Sequence, residues 1–191
     1  DSSGLNMTNA SVRITVTDNV GLSSTQIVVN LTIDNSPPES LVVWSIPHDE
    51  DKWSSDSGSN FLWEYPFDLS YAAGYACSYS YILTQTLSET VDEIPDPHNN
   101  PFMHQSYPGV YIDNITSGIW YFKIKAVDAL GNWGPVTTII IKVDVEAPEI
   151  SDESGNTAYT GDEFTFSFDA SDQHAGVKNG TLFWKLESEQ Q

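Results

Sequence analysis

Aspartate and glycine recur at one spacing along the chain, and this pattern is compatible with two kinds of chemistry. Asp18 precedes Gly21 and Asp128 precedes Gly131 by three positions, and Asp172 has a similar place in SDQHAGV. Aspartate at the first position and glycine at the fourth are typical of a type I turn. Carboxylate oxygens are also the ligands that calcium prefers. The spacing therefore predicts either turns that begin at aspartate or a calcium site.

A calcium site would draw its further oxygens from carboxylates that follow the predicted strands. Asp34 and Asp144 are the best placed, with Glu39 and Glu146 further along the same linkers. Calcium takes about six to eight oxygens, and no stretch of the chain alternates aspartates densely enough to supply them. Turn chemistry is therefore the favoured interpretation, and calcium is the alternative and the sole cofactor suggested. The candidate ligands are Asp18, Asp34, Asp128 and Asp144.

Two further groups of potential metal ligands are better explained by structural roles. Residues 48–51 (HDED) lie in a predicted loop, where loop capping explains them. His98 and His104 lie in a second, acidic loop, but no pair there has the spacing of a transition-metal site. Neither group predicts a metal centre.

The sequence carries no catalytic signature. It has no Gly-x-Ser-x-Gly nucleophile elbow, no Ser/His/Asp order and no phosphate-cradling glycine loop. Cys77 is the sole cysteine, so no internal disulfide is expected and a place in or near the core is favoured. The chain is therefore predicted not to be an enzyme.

Tryptophan supplies the one candidate for ligand binding. Trp133 in the GNWG turn and Trp53 in the DKW loop are placed where exposed rings would stack on sugars. Rings in such turns also fold back over the edge of a core, and this second interpretation is favoured. Glycans remain candidate partners.

Five asparagines stand in the Asn-x-Ser/Thr pattern of N-glycosylation acceptors: Asn6, Asn9, Asn30, Asn114 and Asn179. In QIVVNLTID, alternation predicts that Ile27, Val29, Leu31 and Ile33 share one face of a strand. Asn30 then lies on the opposite face. Exposed acceptors are typical of exported proteins, so an extracellular or cell-surface location is expected.

The chain repeats itself over a long stretch. Residues Val12–Glu39 align without a gap on Phe122–Glu149, an offset of 110 residues. The identical residues fall at turn and boundary positions, and the apolar alternation between them stays in register. A period of this size is typical of one immunoglobulin-like sandwich.

The apolar alternation predicts strands and no helix. The long segment 118–128 places Trp120, Phe122, Ile124 and Ala126 on one face, with lysines on the other. This is the pattern of a half-buried antiparallel strand. The predicted strands are 10–18, 25–34, 41–45, 60–65, 78–85, 109–115, 118–128, 137–144, 163–171 and 181–187, and residues 87–108 form a long loop.

Composition excludes some classes of partner. Hydrophobic residues make up 39% of the 191 residues, which is enough for a sheet-packed core. The net charge of −20 disfavours nucleic acid and anionic membrane surfaces. No stretch approaches the roughly 18 apolar residues of a membrane span, so no membrane insertion is expected in this segment.

Three segments resemble the fibronectin type III and immunoglobulin-like repeats of bacterial and archaeal cell-surface proteins. They are Ser45–Glu64 (SIPHDEDKWSSDSGSNFLWE), Tyr79–Gln85 (YSYILTQ) and Ser117–Pro135 (SGIWYFKIKAVDALGNWGP). The flanking TVTDNVG, TIDNSPPE and TGDEFTFSFDASD are similar to related Ig-like repeats. Trp120 stands where fibronectin repeats usually carry a tyrosine, whose hydroxyl bonds the backbone in the tyrosine corner.

This resemblance implies tandem all-β immunoglobulin-like or fibronectin III-like sandwiches. Residues 1–36 are expected to be a final hairpin, 37–146 a complete sandwich and 147–191 the opening part of another. The expected role is structural, as a repeat segment of a surface layer, sheath, stalk or fibre whose partners are copies of itself or neighbouring Ig-like domains. A hypothesis follows that strands completing the partial sandwiches come from a longer polypeptide or from another chain. The alternatives are an adhesin or carbohydrate-binding module, or an accessory domain of a secreted hydrolase.

Overall fold

A computed structural model describes residues 7–66, 77–97, 107–152, 154, 161 and 166–183, without the side chains of Thr8, Asn9 and Thr32. The described residues form strands and no helix, so none of them belongs to a helix that could span a membrane. The chain is all-β, as predicted. Its strands are β1 Met7–Thr17, β2 Ser23–Ile33, β3 Val43–Ile46, β4 Trp53–Ser54, β5 Ser59–Trp63, β6 Ser78–Thr84, β7 Gly109–Ile112, β8 Gly118–Val127, β9 Thr137–Val143, β10 Glu149–Asp152 and β11 Phe168–Ser171.

Two sheets in the central part of the chain enclose the hydrophobic core. One sheet has the order β3-β5-β7 and the other β4-β9-β8-β6, antiparallel throughout except for the parallel pair β4 and β9. Phe61 of β5 stacks on Phe122 of β8 with ring centroids 4.0 Å apart, and Trp63 meets Tyr79 edge to face. The buried core cluster lies entirely within residues 41–143. We call this part the central sandwich.

Strand β8 confirms the predicted inward face and corrects the predicted outward one. Phe122, Ile124 and Ala126 are fully buried. Lys123 and Lys125, which alternation places toward solvent, are buried as well. Lys123 Nζ donates to the carbonyls of Leu87 and Glu89, so the segment that follows β6 covers this face. The prediction of a half-buried strand was wrong for the lysines.

The covering segment, residues 85–97, is held on the sheet by its own carboxylates. Ser80 Oγ donates to Asp92 at 2.9 Å, and the backbone N–H of Tyr81 donates to Asp96 at 2.8 Å. The Tyr81 hydroxyl donates to the carbonyl of Pro97 at 2.7 Å. Residues 85–97 are therefore a fixed layer of the central sandwich, and Glu93 Oε1 lies 3.4 Å from the buried Lys125 Nζ.

Trp120 makes a side-chain-to-backbone bond at the start of β8. Its indole Nε1–H donates to the carbonyl of Thr116 at 2.8 Å, four residues upstream. A tyrosine corner joins a tyrosine hydroxyl to the backbone a few residues upstream in the same way. The indole therefore makes a bond of the kind that the absent hydroxyl would have made.

The β1–β2 hairpin pairs with no other described strand. Val12 lies opposite Val28, whereas Ala10 lies opposite Leu31, so Val29 and Asn30 together face Ser11. This bulge puts one extra residue into β2 and reverses its alternation. The predicted face of Ile27, Val29, Leu31 and Ile33 was therefore wrong. The apolar face that the register produces comprises Val12, Ile14, Val16, Val28, Leu31 and Ile33.

Strands β10 and β11 form a second isolated antiparallel pair with two unlike faces. Ile150 lies opposite Ala170 and Asp152 opposite Phe168 on one face. The other face carries Glu149, Ser151, Asp169 and Ser171. Strands β4 and β10 were not predicted, and β11 begins later than expected. In the predicted strand 181–187, residues 181–183 are not in a strand and 184–187 lie outside the described residues.

Candidate functional site

The aspartates at the two hairpin turns have the same backbone geometry. Asp18 Oδ1 accepts the N–H groups of Val20 and Leu22, both at 2.9 Å. Asp128 Oδ1 accepts those of Leu130 and Asn132, both at 2.8 Å. The glycine in each turn has a left-handed φ, +90° and +91°, which a side chain disfavours. The structure thus gives the paired aspartates the turn role that the spacing favoured.

A third turn is built in the same way after β11. Asp172 Oδ1 accepts the backbone N–H groups of His174 at 3.0 Å and of Gly176 at 2.8 Å. These donors, led by Gly176, favour the charged carboxylate and hold the pKa of Asp172 below its usual value. Gly176 has φ +78°. We call the turns that begin at Asp128 and Asp172 the capped turns.

The first capped turn contacts the linker that leaves β2. Asn132 Nδ2 donates to the backbone carbonyl of Asp34 at 3.1 Å and to Asp128 Oδ2 at 2.7 Å. Asp34 and Asp128 are both buried. Asp34 Oδ1 accepts the N–H of Ser36 at 2.9 Å. One amide side chain therefore ties the end of the hairpin to the central sandwich.

Backbone contact closes the same joint a few residues further on. A Cβ added to Gly134 would lie 2.6 Å from the carbonyl oxygen of Pro38, and Pro38 is fully buried. Gly134 N–H donates to the carbonyl of Ala126 at 2.8 Å, which fixes its position. Glycine is required here because only a residue without a side chain permits this approach.

The second capped turn contacts the linker that leaves β9. Asp144 Oδ2 accepts the backbone N–H of Ala175 at 2.9 Å. His174 Nδ1 lies 3.6 Å from Glu146 Oε2, and its ring meets Trp53 of β4 edge to face at 5.7 Å. Asp34 and Asp144 correspond in the 110-residue repeat, so equivalent linker aspartates meet a capped turn at both joints.

Comparison with known proteins identifies no family for this chain. No protein-family model matches the chain, and no curated protein matches it.

The candidate calcium ligands are divided among three places. Asp18 lies at the hairpin turn, Asp34 and Asp128 share Asn132 at the first joint, and Asp144 lies at the second. Among the described residues, no group of three or more His, Cys, Asp or Glu side chains is arranged to hold a metal ion. Asp34 Oδ2 is buried and has no hydrogen-bond partner there. Calcium at these aspartates stays a prediction.

Three of the four HDED residues, His48, Asp49 and Asp51, have separate structural partners. His48 is buried, and its Nε2 lies 3.2 Å from the carbonyl of Gly58. Asp49 accepts from Lys52 at 2.8 Å, and this hydrogen bond and positive charge lower the pKa of the Asp49 carboxyl. Asp51 Oδ1 lies 3.4 Å from Lys142 Nζ. These contacts agree with loop capping; His98 and His104 lie outside the described residues.

Cys77 and the two candidate sugar-stacking tryptophans are engaged within the chain. Cys77 is buried in the core cluster, as favoured. Lys125 Nζ lies 4.8 Å from the centroid of the Trp133 ring, a cation–π geometry, and Trp53 contacts His174. Both rings are partly buried, so they follow the interpretation in which they fold back over the core edge.

Three of the five glycosylation acceptors can be placed, and all three are exposed: Asn30, Asn114 and Asn179. Asn30 lies in the β2 bulge with φ +60°, and Asn114 precedes β8 with φ +58°. Asn6 and the side chain of Asn9 lie outside the described part of the chain. Exposure at these positions is what an acceptor requires.

An apolar groove of about 660 Å³ lies on the β10–β11 pair. Its floor is the apolar face of the pair, including Phe168, which is more than half exposed. Alternation in EFTFSFDAS (residues 163–171) predicts that Phe164, Phe166 and Phe168 point into a core. Phe166 and Phe168 are instead exposed, and Phe164 lies outside the described residues. The lining residues are Pro148, Ile150, Asp152, Ser154, Phe166, Phe168, Ala170, Val177, Asn179, Gly180, Thr181 and Leu182.

Sequence reasoning missed the residues that make the joints. No motif or spacing in the sequence singles out Asn132, Gly134 or His174. The available signal was that each follows a repeated aspartate by two to six positions, where a turn presents its side chains to whatever lies beside it.

Proposed function

We propose that this chain is a structural repeat segment of a secreted or cell-surface protein. It consists of tandem immunoglobulin-like or fibronectin III-like sandwiches, with bounds at 1–36, 37–146 and 147–191, and acts through stacking and self-association. The observation that carries the proposal is that both linkers contact a capped turn through an aspartate, Asp34 by its backbone carbonyl and Asp144 by its carboxylate. At each joint, a linker aspartate meets a turn capped by an aspartate of the following part.

The strand order of the central sandwich supports this family of folds. The orders β3-β5-β7 and β9-β8-β6 correspond to the A-B-E and G-F-C sheets of such sandwiches. The Trp120–Thr116 bond corresponds to the tyrosine corner at the start of strand F. These features support an architectural role.

Mechanically, the joints fix the pose of one part relative to the next. Asn132 donates one amide hydrogen bond across the first joint, to the Asp34 carbonyl, and another to Asp128 within its own turn. The Gly134–Pro38 contact packs the start of the central part closely against the residues that follow this turn. Acidic faces and sugars on Asn30 and Asn114 keep the segment hydrated outside the cell. Calcium at Asp34 and Asp128 would stiffen the first joint further, but the proposal does not depend on it.

The stiffness of the first joint is tested by double electron–electron resonance. Nitroxides at Val20 and Ile94, both exposed, report the distance between the hairpin and the central sandwich in a Cys77→Ala background. The proposal predicts a narrow distance distribution that Asn132→Ala broadens. Asn19→Ala, in the exposed hairpin turn, is the matched control and leaves it narrow. A distribution equally broad in all three chains would contradict a fixed joint.

The exterior location is tested by glycopeptide mass spectrometry of native material. Asn30 and Asn114 are expected to carry sugars, because both are exposed and neither lies on a core face. Peptides in which both asparagines are unmodified would contradict the location, whatever the state of the joint.

A further inference from the structure

Two parts of the molecule carry apolar faces that the described residues leave open. The first is the β1–β2 face that includes Val12, Ile14 and Val16, which are 46%, 55% and 66% exposed. The second is the groove on β10–β11, whose floor includes Ile150 and Phe168. The opposite face of each pair is mainly polar, so each sheet has one side made for packing.

The central sandwich shows which surfaces fit together. Val12, Ile14 and Val16 of β1 correspond in the repeat to Phe122, Ile124 and Ala126 of β8. In the sandwich those β8 residues pack against the facing sheet, where β5 is paired with β3; Phe122 stacks on Phe61 of β5. The β10–β11 pair follows a linker proline, as the β3–β5 pair does. A hairpin that resembles β8–β9, such as β1–β2, is therefore the element expected to cover the β10–β11 pair.

Charge favours the same pairing. Residues 7–33 contain one arginine and one aspartate, so the hairpin is neutral within a chain of net charge −20. Residues 147–183 contain seven acidic residues and one lysine. Two acidic parts repel each other on approach, whereas the neutral hairpin approaches the acidic groove without that repulsion.

We propose that the β1–β2 hairpin of one copy packs its apolar face into the β10–β11 groove of a second copy. The two surfaces differ and lie in different parts of the chain, so the contact is head-to-tail and adds copies in series unless the rotation between them closes a ring. This inference rests on the proposed structural role and names its partner, a second copy of the chain.

The glycosylation acceptors give the docked state a recognisable signature. Asn179 lines the groove, so a sugar on it would occupy the space that the hairpin needs. Asn30 faces Ser11 in the β2 bulge, away from Val12 and Ile14, and can carry a sugar in the docked state. Assembled copies are therefore expected to be unmodified at Asn179.

Sedimentation velocity with complementary variants tests the contact. Runs in about 0.5 M NaCl screen the repulsion between chains. The wild-type chain is expected to form oligomers that lengthen with concentration. Ile14→Lys on the hairpin and Phe168→Lys in the groove are each expected to weaken association about 100-fold or more, because a lysine ammonium would be buried without a partner.

The equimolar mixture is the decisive sample. The Ile14→Lys copy keeps an intact groove and the Phe168→Lys copy keeps an intact hairpin. A head-to-tail contact therefore predicts a heterodimer that grows no further, whereas each variant alone stays monomeric. Thr15→Lys lies on the opposite face of β1 beside Arg13 and is expected to associate like the wild type. Tryptophan emission from the central sandwich shows that each variant is folded.

Three results would overturn the contact: a wild-type chain that stays monomeric at every concentration, association that Ile14→Lys does not weaken, or a mixture that forms no heterodimer. Any of these leaves the proposed structural role standing if the first joint is rigid and Asn30 and Asn114 carry sugars. The faces would then be covered by other residues of a longer polypeptide.

Discussion

The two hairpins β1–β2 and β8–β9 share a turn and a sequence pattern but differ completely in burial. Their capped aspartates accept the same pair of backbone N–H groups, and their glycines have nearly identical φ. Ile124 is fully buried, whereas the corresponding Ile14 is 55% exposed. Local sequence therefore determines the hairpin, while a core forms only where a facing sheet supplies its other half.

The largest expected effect comes from shortening these two equivalent isoleucines. Ile124→Ala removes methyl groups from a filled core and is expected to lower the free energy of unfolding by about 2–5 kcal/mol. Ile14→Ala, in dilute monomeric chain, is expected to change it by no more than about 0.5 kcal/mol. Urea unfolding followed by tryptophan emission measures both values. Equal losses would mean that one continuous core spans both hairpins.

A side chain at the first joint is expected to have the next largest effect. Gly134→Ala forces a methyl group against the Pro38 carbonyl and is expected to destabilise the chain by about 1–3 kcal/mol. The hairpin carries Ser24 at the corresponding position of the repeat. Gly180→Ala is the control, because its nearest neighbours lie 3.9 Å away. A neutral Gly134→Ala in urea unfolding would contradict the close packing of the joint.

The indole bond at the start of β8 has no counterpart in β1, where Ala10 occupies the equivalent position. Trp120→Phe and Trp120→Tyr lose similar packing, but only tyrosine can still donate to the Thr116 carbonyl. The phenylalanine variant is expected to be less stable than the tyrosine variant by about 1 kcal/mol in the same urea assay. Equal stabilities would show that the bond contributes nothing.

The smallest expected effect is the pH dependence of the second capped turn. Backbone donors lower the pKa of Asp172 in the folded chain. The charged carboxylate therefore stabilises the folded chain fully at pH values above the ordinary aspartate pKa. This stabilisation is lost as the pH falls through the lowered pKa of the folded chain. The amide NMR shifts of His174 and Gly176 are expected to titrate below the midpoint of an aspartate in a short peptide. Asp172→Asn removes this titration. A midpoint at or above the peptide value would contradict the cap.

Much of the fold could be predicted from sequence because its signals are local. The inward face of β8 and the turns at Asp18 and Asp128 follow from alternation and spacing within about a dozen residues. The face of β2 was predicted wrongly because one extra residue, at the Val29–Asn30 bulge, reverses the alternation without any change in composition.

The parts that could not be predicted depend on distant partners. Lys123 is buried because Leu87 and Glu89 cover it from 36 and 34 residues away. Asn132 reaches the Asp34 carbonyl across 98 residues. Neither residue type has a propensity that indicates these contacts, and β4 is too short for periodicity to reveal it.

The most direct test asks whether the apolar face of the β1–β2 hairpin becomes buried on assembly. It compares hydrogen–deuterium exchange of β1 and β8 in native assembled material with exchange in the dilute 191-residue chain. We expect β1 amides to be as strongly protected as β8 amides in the assembly and to exchange much faster in the dilute chain, where β8 stays protected. Unprotected β1 amides in the assembled material would contradict this expectation.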